Sequence, residues 1–354
     1  MALSEPVADA PAVAADHGFH PLRVAGVVRE TADACSFVLD VPVDLRRAFS
    51  YEAGQFCTFR VWVDGRPHIR CYSMSSSPAV DDELRVTVKR TPDGVVSNWM
   101  NDHVALGDEL DVARPTGFFR LGAGEGEVVL FAAGSGITPV LSLLKTAIAT
   151  TARRVRLLYA NRDHEDIIFR SEIDALRMHE ASRFTLMHHL DAEQGLTGPD
   201  AIRRLIDGTV EPECFVCGPG PFMDLVESTL LAEGVDAGRI HIERFTPDEW
   251  QPEPVDDALG ARRVTIELDG RTGTTDHHPG TTILQTARQL GMSPPFSCEA
   301  GSCATCMARL SEGTASMHVN NALTDDEIAD GWVLTCQAVP TSPHLSVVYG
   351  DEEV

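Results

Sequence analysis

Residues 128–150 read VVLFAAGSGITPVLSLLKTAIAT. An unbroken apolar run, Val128 to Ala133, leads into Gly134–Ser135–Gly136, and a helix-compatible stretch follows from Pro139. A continuous apolar run marks a strand buried on both faces, and a helix after a glycine turn makes the pair a strand–turn–helix unit. We expect that helix from about Pro139 to Ala149, with proline in the first turn, where no donor is needed. The strict pattern G-x-G-x-x-G is not met, because Pro139 replaces its third glycine. Its physical role survives: close backbone approach at Gly134 and Gly136, and helix-start amides for an anion.

Working outward, the alternation continues toward the C-terminus. VRLLYAN, a helix near Arg170–His179, FTLMHHL, a helix after Pro199, CFVCG, a helix from Pro221 to Glu233 and RIHIERF follow in turn. Strand–helix alternation of this kind predicts a doubly wound parallel α/β domain over 123–246. Toward the N-terminus the pattern changes to six short alternating strands: LRVAGVVRE, CSFVLDV, QFCTFRVWV, HIRCYSMSS, LRVTVKR and ELDVA. Turns at Asp64–Gly65, Asp93–Gly94 and Gly107–Asp108 separate some of them, which predicts an antiparallel β-barrel over 19–122. Residues 1–18 are Ala-rich and acidic and read as a disordered tail. Residues 247–261 (PDEWQPEPVDDALGA) are acidic and aperiodic and read as a linker.

Within residues 262–354, Cys298, Cys303, Cys306 and Cys336 have the spacing C-x4-C-x2-C…C. Four thiolates at this spacing suit a [2Fe–2S] cluster, with a glycine-containing loop folded around the inorganic core and the last ligand supplied by a distant strand, VLTCQ. A tetrahedral zinc site would want a second close Cys or His pair, and none lies near Cys336. Cys35, Cys57 and Cys71 stand alone in strand patterns and read as packed apolar residues. Cys214 and Cys217 form a C-x2-C, but Cys214 should lie inside a strand, which argues against a second metal there.

Three further motifs could bind anions or aromatic rings. Arg70–Cys71–Tyr72–Ser73 ends a barrel strand: arginine can neutralise a pyrophosphate, tyrosine can stack on a ring system, and serine can hydrogen-bond a ring nitrogen. Taken alone, these are also ordinary strand residues. Gly94–Val95–Val96–Ser97 opens the helix SNWMNDH, a second anion site on the same barrel. Cys217–Gly218–Pro219–Gly220 ends a later strand, at the carboxyl edge where open α/β sheets bind ligands.

The 354 residues carry a formal net charge of −24 with 43% hydrophobic residues. That excludes the basic footprint of a nucleic-acid or anionic-membrane binder. No apolar run approaches the roughly 18 residues needed to span a bilayer. The nine cysteines, without an export signal, lead us to expect a reducing, cytoplasmic setting.

In this order, RCYSMSSSP, VTVKRTPDG, SNWMNDH, AAGSGITP, LLYANRD, CGPGPFM, IHIERF and PFSCEAGSC resemble the ferredoxin–NADP reductase superfamily fused to a C-terminal plant-type ferredoxin. Within it the stretch resembles the reductase components of 3-ketosteroid 9α-hydroxylases. The reductase of the phenylacetyl-CoA epoxidase system shares most of these motifs. The resemblance implies a flavin barrel, an NAD-binding domain and a β-grasp ferredoxin domain. It implies FAD held by Arg70, Tyr72 and Ser73, with Gly94 and Ser97 at its pyrophosphate. Gly134, Gly136 and Thr138 would line the nicotinamide and phosphates, and Asn161 and Arg162 would approach the adenine ribose. Cys217, Gly218 and Pro219 would hold the nicotinamide, and Glu243 and Phe245 would close the far face of the flavin. Ala304 stands where many relatives have glycine.

The expected function is a monomeric NADH-dependent reductase that passes electrons through FAD and the cluster to a terminal oxygenase of Rieske type, docked at the ferredoxin domain. No protein general acid or base is required. A reductase for a diiron oxygenase, or a flavin and iron–sulfur redox sensor that catalyses nothing, are the alternatives. The intact GSGITP and CGPGPFM turns speak against the sensor.

Overall fold

The computed structural model describes residues 19–244 and 262–350, apart from 279, 297–300, 302–303, 321–322 and 324. The expected tail (1–18), the linker (247–261), Phe245, Cys298 and Cys303 fall outside the described residues.

The first sheet holds β1 (Phe19–Thr31), β2 (Ala34–Asp40), β3 (Phe56–Val63), β4 (Arg66–Ser73), β5 (Leu84–Lys89) and β6 (Glu109–Ala113), with helix α1 (Val95–His103) before the last strand. Its order is β4-β3-β6-β1-β2-β5, and the pairings are antiparallel. An antiparallel bridge from Met74 to Val86 brings the two edges together, so the sheet closes into the expected barrel. Phe37, Phe59, Met74 and Met100 fill its core at 0% exposure. At the β3–β4 hairpin Asp64 and Gly65 take φ of 51° and 72°, the two positive values that a tight two-residue hairpin turn requires.

The second sheet is built from β7 (Val128–Ala133), α2 (Ile137–Thr150), β8 (Val155–Asn161), α3 (Arg170–His179), β9 (Phe184–Leu190), α4 (Asp191–Gln194), α5 (Pro199–Ile206), β10 (Glu213–Cys217), α6 (Gly220–Ala232) and β11 (Ile240–Glu243). Its order is β11-β10-β7-β8-β9 and every pairing is parallel. The apolar run at 128–133 has a direct cause. Val128, Leu130 and Ala132 pack into one core with α2 and Ile173 of α3, while Val129, Phe131 and Ala133 pack into another with α5 and α6. Both faces of β7 are interior, so no position can be polar. Helix α2 starts at Ile137, two residues before the expected Pro139, and proline inside the first turn displaces no helical hydrogen bond.

The third sheet is mixed. It comprises β12 (Arg262–Leu268), β13 (Arg271–His277), α7 (Ile283–Gln289), β14 (Met307–Glu312), β15 (Ala315–Met317), α8 (Asp325–Ala329), β16 (Trp332–Leu334), β17 (Ala338–Pro340) and β18 (His344–Val348). The order is β13-β12-β18-β14-β16, with β15 and β17 as a separate pair. β18 is the central strand, parallel to β12 and antiparallel to β14. Helix α7 is capped reciprocally: Thr282 Oγ1 accepts from the Gln285 amide and Gln285 Oε1 accepts from the Thr282 amide. Ile283 and Ala287 of α7 then pack on Val264 and Ile266 in one core.

The segment VLTCQAV is not one strand. β16 ends at Leu334 and β17 begins at Ala338, so Cys336 sits on a turn closed by the Gln337 amide on the Leu334 carbonyl at 2.8 Å. Among the described residues no helix is long and apolar enough to cross a membrane.

Candidate functional site

The carboxyl ends of β7, β10 and β11 lie side by side, since Cys217 pairs with Ala132 on one flank and Glu243 on the other. The turn Gly134–Gly136 presses onto this edge. A Cβ on Gly136 would stand 2.1 Å from the Cys217 carbonyl oxygen, so only glycine fits there. Gly134 takes φ +53°, and its carbonyl accepts from Tyr159 Oη at 3.2 Å. Thr138 is buried and its hydroxyl donates to the Ser135 carbonyl at 3.1 Å, which closes the turn from inside. Gly218 and the exposed Pro219 lead into α6. Thus two glycine-rich motifs far apart in the sequence form one wall.

Chemically this edge is neutral but polar. Burial pushes the Glu243 carboxyl up to about 8 and raises the Cys217 thiol well above its ordinary value. At the end of β8, Asn161 is 5% exposed, and neither its Oδ1 nor its Nδ2 has a hydrogen-bond partner among the described residues. Arg162, next to it, is turned to acids: its Nη2 lies 2.7 Å from Asp166 Oδ1 and 3.1 Å from Asp33 Oδ2.

The barrel carries the remaining candidate residues. On β4, Tyr72 packs edge-on against Phe59 with ring centroids 5.6 Å apart, and burial pushes its phenol far up. Arg70 is exposed. Ser73 is 2% exposed and its Oγ has no partner among the described residues. Gly94 caps α1; a Cβ there would lie 2.5 Å from Ser97 Oγ, which accepts from the Thr91 amide at 3.1 Å. Ser97 therefore tightens the turn and keeps its O–H as a donor beside the first-turn amides of α1. Two residues the sequence did not single out also stand here. Lys89 at the end of β5 pairs with Asp33 at 3.6 Å, and its Nζ is 4.0 Å from where a Cβ of Gly134 would be. The only local hint of Lys89 was its place in VTVKRTPDG, just before the glycine turn.

These features suit a flavin dinucleotide and a pyridine nucleotide. Buried hydroxyl and amide groups without partners, a cradle that only glycine permits, and two glycine-led helix starts are what such ligands need.

At the other candidate centre, Cys306 and Cys336 are 2% and 5% exposed. The Cys306 carbonyl accepts from Thr335 Oγ1 at 2.8 Å, and Tyr349 Oη donates to that same Oγ1 at 2.8 Å. This chain ties the two cysteine-bearing loops together. Gly301 has φ +74° and Ala304 has φ +53°, both in the left-handed region that a tightly wrapped loop demands. Among the described cysteines, Cys35 on β2 and Cys57 on β3 are buried in the barrel core as expected, whereas Cys71 on β4 is only half-buried, its Sγ 3.5 Å from Thr58 Oγ1. Cys214 and Cys217 belong to different cores and so point to opposite faces of β10.

Domain-family profiles match in three consecutive blocks. They are an oxidoreductase FAD-binding domain over 21–121, an oxidoreductase NAD-binding domain over 130–228 and a 2Fe-2S iron-sulfur cluster binding domain over 266–341. The chain is 40% identical over 337 residues to the ferredoxin reductase component of 3-ketosteroid-9-alpha-monooxygenase from Rhodococcus rhodochrous, covering 93% of this chain and 96% of that protein. The chain belongs to the monooxygenase ferredoxin reductase family. As a member it is an oxidoreductase, the electron-transfer component of an oxygenase system, built on FAD, NAD and [2Fe–2S] domains. The family extends to a component of the 1,2-phenylacetyl-CoA epoxidase of Escherichia coli K12, 32% identical over 93% of this chain and 97% of that one. Phthalate dioxygenase reductase, a modular structure for electron transfer from pyridine nucleotides to [2Fe-2S], aligns with a TM-score of 0.60 and 26% identity, covering 94% of this chain and 98% of that one. The reductase therefore has that fold: a flavin barrel, a parallel-sheet NAD domain and a C-terminal iron–sulfur domain.

Proposed function

We propose that this reductase takes hydride from NADH and supplies single electrons to a Rieske-type terminal oxygenase of the 3-ketosteroid 9α-hydroxylase kind. The observation that carries the reading is the meeting of Gly134–Gly136, Cys217–Gly218 and Glu243 on one sheet edge. The bound flavin and cluster would supply the conversion of a two-electron donation into single-electron steps. The chain's own residues bind and orient. Arg70 neutralises the pyrophosphate from one side while Ser97 and the amides of α1 hold the other. Ser73 donates its buried hydroxyl toward the flavin ring, and Tyr72 stacks on it. Cys217, Gly218 and Pro219 seat the nicotinamide, Gly134 through Thr138 its phosphates, and Asn161 and Arg162 the adenine ribose. Glu243, with Phe245 beyond it, closes the far face. Residues 19–122, 123–246 and 262–354 act as the three functional units, with Cys298, Cys303, Cys306 and Cys336 as the cluster ligands, in a cytoplasmic monomer.

Supporting the steroid-type partner is the 40% identity to the Rhodococcus protein against 32% for the epoxidase component. The iron–sulfur unit carries 6 Asp and 6 Glu against 5 Arg over 262–354, so a basic docking face on the oxygenase is expected, its charge raising the encounter rate. Anaerobic mixing with NADH should bleach the flavin and then the cluster, and the reduced chain should support turnover of a Rieske 3-ketosteroid 9α-hydroxylase. Cys336→Ser should abolish the cluster absorbance, keep FAD bound, stop delivery to the oxygenase and largely keep NADH–ferricyanide reduction. Delivery to a diiron epoxidase but not to the Rieske enzyme would favour the epoxidase reading instead.

A further inference from the structure

Four charged side chains alternate in sign across the joint between the barrel and the nucleotide-binding sheet. Lys145 of α2 has its Nζ 2.6 Å from Asp81 Oδ2, on the connection between β4 and β5, and 2.6 Å from Glu172 Oε1, on α3. Arg85 of β5 holds the other side of Glu172, with Nη2 3.0 Å from Oε2 and 3.3 Å from Oε1. Its guanidinium lies over the Phe169 ring at 5.3 Å. Neutral bonds flank this array. Ser142 Oγ donates to the Ser76 carbonyl at 2.6 Å, Ser77 and Thr146 share a hydroxyl contact of 2.6 Å, and Asp81 also accepts from the Ser77 amide at 2.7 Å.

The Lys145 side chain is only 7% exposed. Taking an ammonium out of water is costly even when it is paired, and a well-packed apolar residue would usually stabilise as much. What an ion pair adds over an apolar contact is direction: it accepts one arrangement of its partners and disfavours others. The elements it joins give that direction a use. Helix α2 opens at the Gly134–Gly136 turn, and the segment Ser75–Asp81 begins two residues after Ser73. One rigid path therefore runs from the strand that presents Tyr72 and Ser73, through Asp81 and Lys145, to the helix that starts at the nucleotide turn.

We propose that Lys145 is a positioning residue for hydride transfer, its ion pairs with Asp81 and Glu172 holding the nucleotide turn in alignment with the flavin strand. The step it serves is the one in which NADH gives up one proton and two electrons to the bound flavin and leaves as NAD+. Misalignment of about 1 Å costs on the order of 100-fold in such a transfer.

The test is stopped-flow reduction of the FAD- and cluster-loaded protein by NADH. In Lys145→Met the limiting rate at saturating NADH should fall about 10- to 100-fold, with FAD content retained and the NADH dissociation constant within about 3-fold. Lys145→Arg should restore most of the rate. Asp81→Ala, which cuts the barrel arm from a partly exposed position and also removes the acceptor of the Ser77 amide, should show a smaller loss in the same parameter and decides the matter if Lys145→Met does not fold. A readout independent of turnover is NAD+ titrated into the chemically reduced protein, whose long-wavelength flavin–nicotinamide absorbance reports ring stacking. Its amplitude should drop in both variants while the binding constant holds. Wild-type limiting rate and amplitude in folded Lys145→Met, or in Asp81→Ala, would overturn the proposal, as would a loss confined to FAD content or NADH affinity. The inference rests on the flavin and nucleotide placement proposed above, so Arg70→Ala is run beside it. Full FAD occupancy there fails that placement, whereas FAD loss there with a wild-type rate in Lys145→Met fails the joint alone.

Discussion

The two ends of the parallel sheet treat the same chemical group in opposite ways. At the amino end of β10, Glu213 Oε2 accepts from Arg153 Nη2 at 2.6 Å and Oε1 from the Gly122 amide at 3.0 Å, with His241 Nε2 3.4 Å away. Burial alone would raise this carboxyl, but these hydrogen bonds and the Arg153 charge hold it at about 2. At the carboxyl end, desolvation of the half-buried Glu243 beside Cys217 pushes its carboxyl up to about 8. The end that holds the domain together is saturated with partners. At the carboxyl edge Asn161, and on the barrel Ser73, are buried with no hydrogen-bond partner among the described residues. Perturbed and unsatisfied groups gathered on one edge mark where a protein works; fully paired ones mark where it is braced.

The largest expected effect comes from breaking the braced end. Glu213→Ala leaves Arg153 buried without its carboxylate and should cost about 3–5 kcal/mol, read as a lower-temperature melting transition at pH 7. Because the folded carboxyl is held below its usual 4.5, its contribution is present above that value and fades as pH falls toward about 2. The gap between wild type and variant should therefore shrink on acidification; equal melting at pH 7 would break the comparison at its firmer end. A smaller effect of opposite sign is expected at Glu243. The folded chain keeps a proton that the unfolded chain releases, so stability declines as pH rises from 4.5 toward about 8. Glu243→Gln should remove that slope and melt higher than wild type at pH 8; parallel profiles would show that Glu243 is ionised like any surface acid. The smallest effect concerns the rim. Arg162 is held by Asp166 and Asp33, so it is poorly placed for a 2′-phosphate, and NADH should be preferred over NADPH in kcat/KM. Asp166→Asn should narrow the ratio by about 2- to 5-fold, the scale of an exposed ion pair. A wild-type preference for NADPH would reverse the reading of this rim.

Much of this architecture was legible because its signals are local. The run VVLFAAG announced a doubly buried strand, six alternating segments announced the barrel, and C-x4-C-x2-C announced the iron–sulfur domain. Helix α3 falls on the expected Arg170–His179 because its periodic apolar face and its basic last turn are read within ten residues. The contacts that join motifs were not legible. Gly136 touching the Cys217 carbonyl, Lys89 beside Gly134, and Lys145 between Asp81 and Glu172 each unite residues from distant elements, which no spacing rule encodes. Cys336 was expected on a strand because VLTCQAV has strand composition. The bond from Thr335 to the Cys306 carbonyl and the turn closed by the Gln337 amide outweigh that propensity.

The central place of β18 sets an order of events during synthesis. Every cysteine of the C-x4-C-x2-C…C set is translated before His344–Val348, yet that strand is what β12 and β14 pair with at the middle of their sheet. While the ribosome is still making β18, the sheet lacks its middle strand and is open along its midline. β12 and β14 are therefore joined into one sheet only once that later strand has been made.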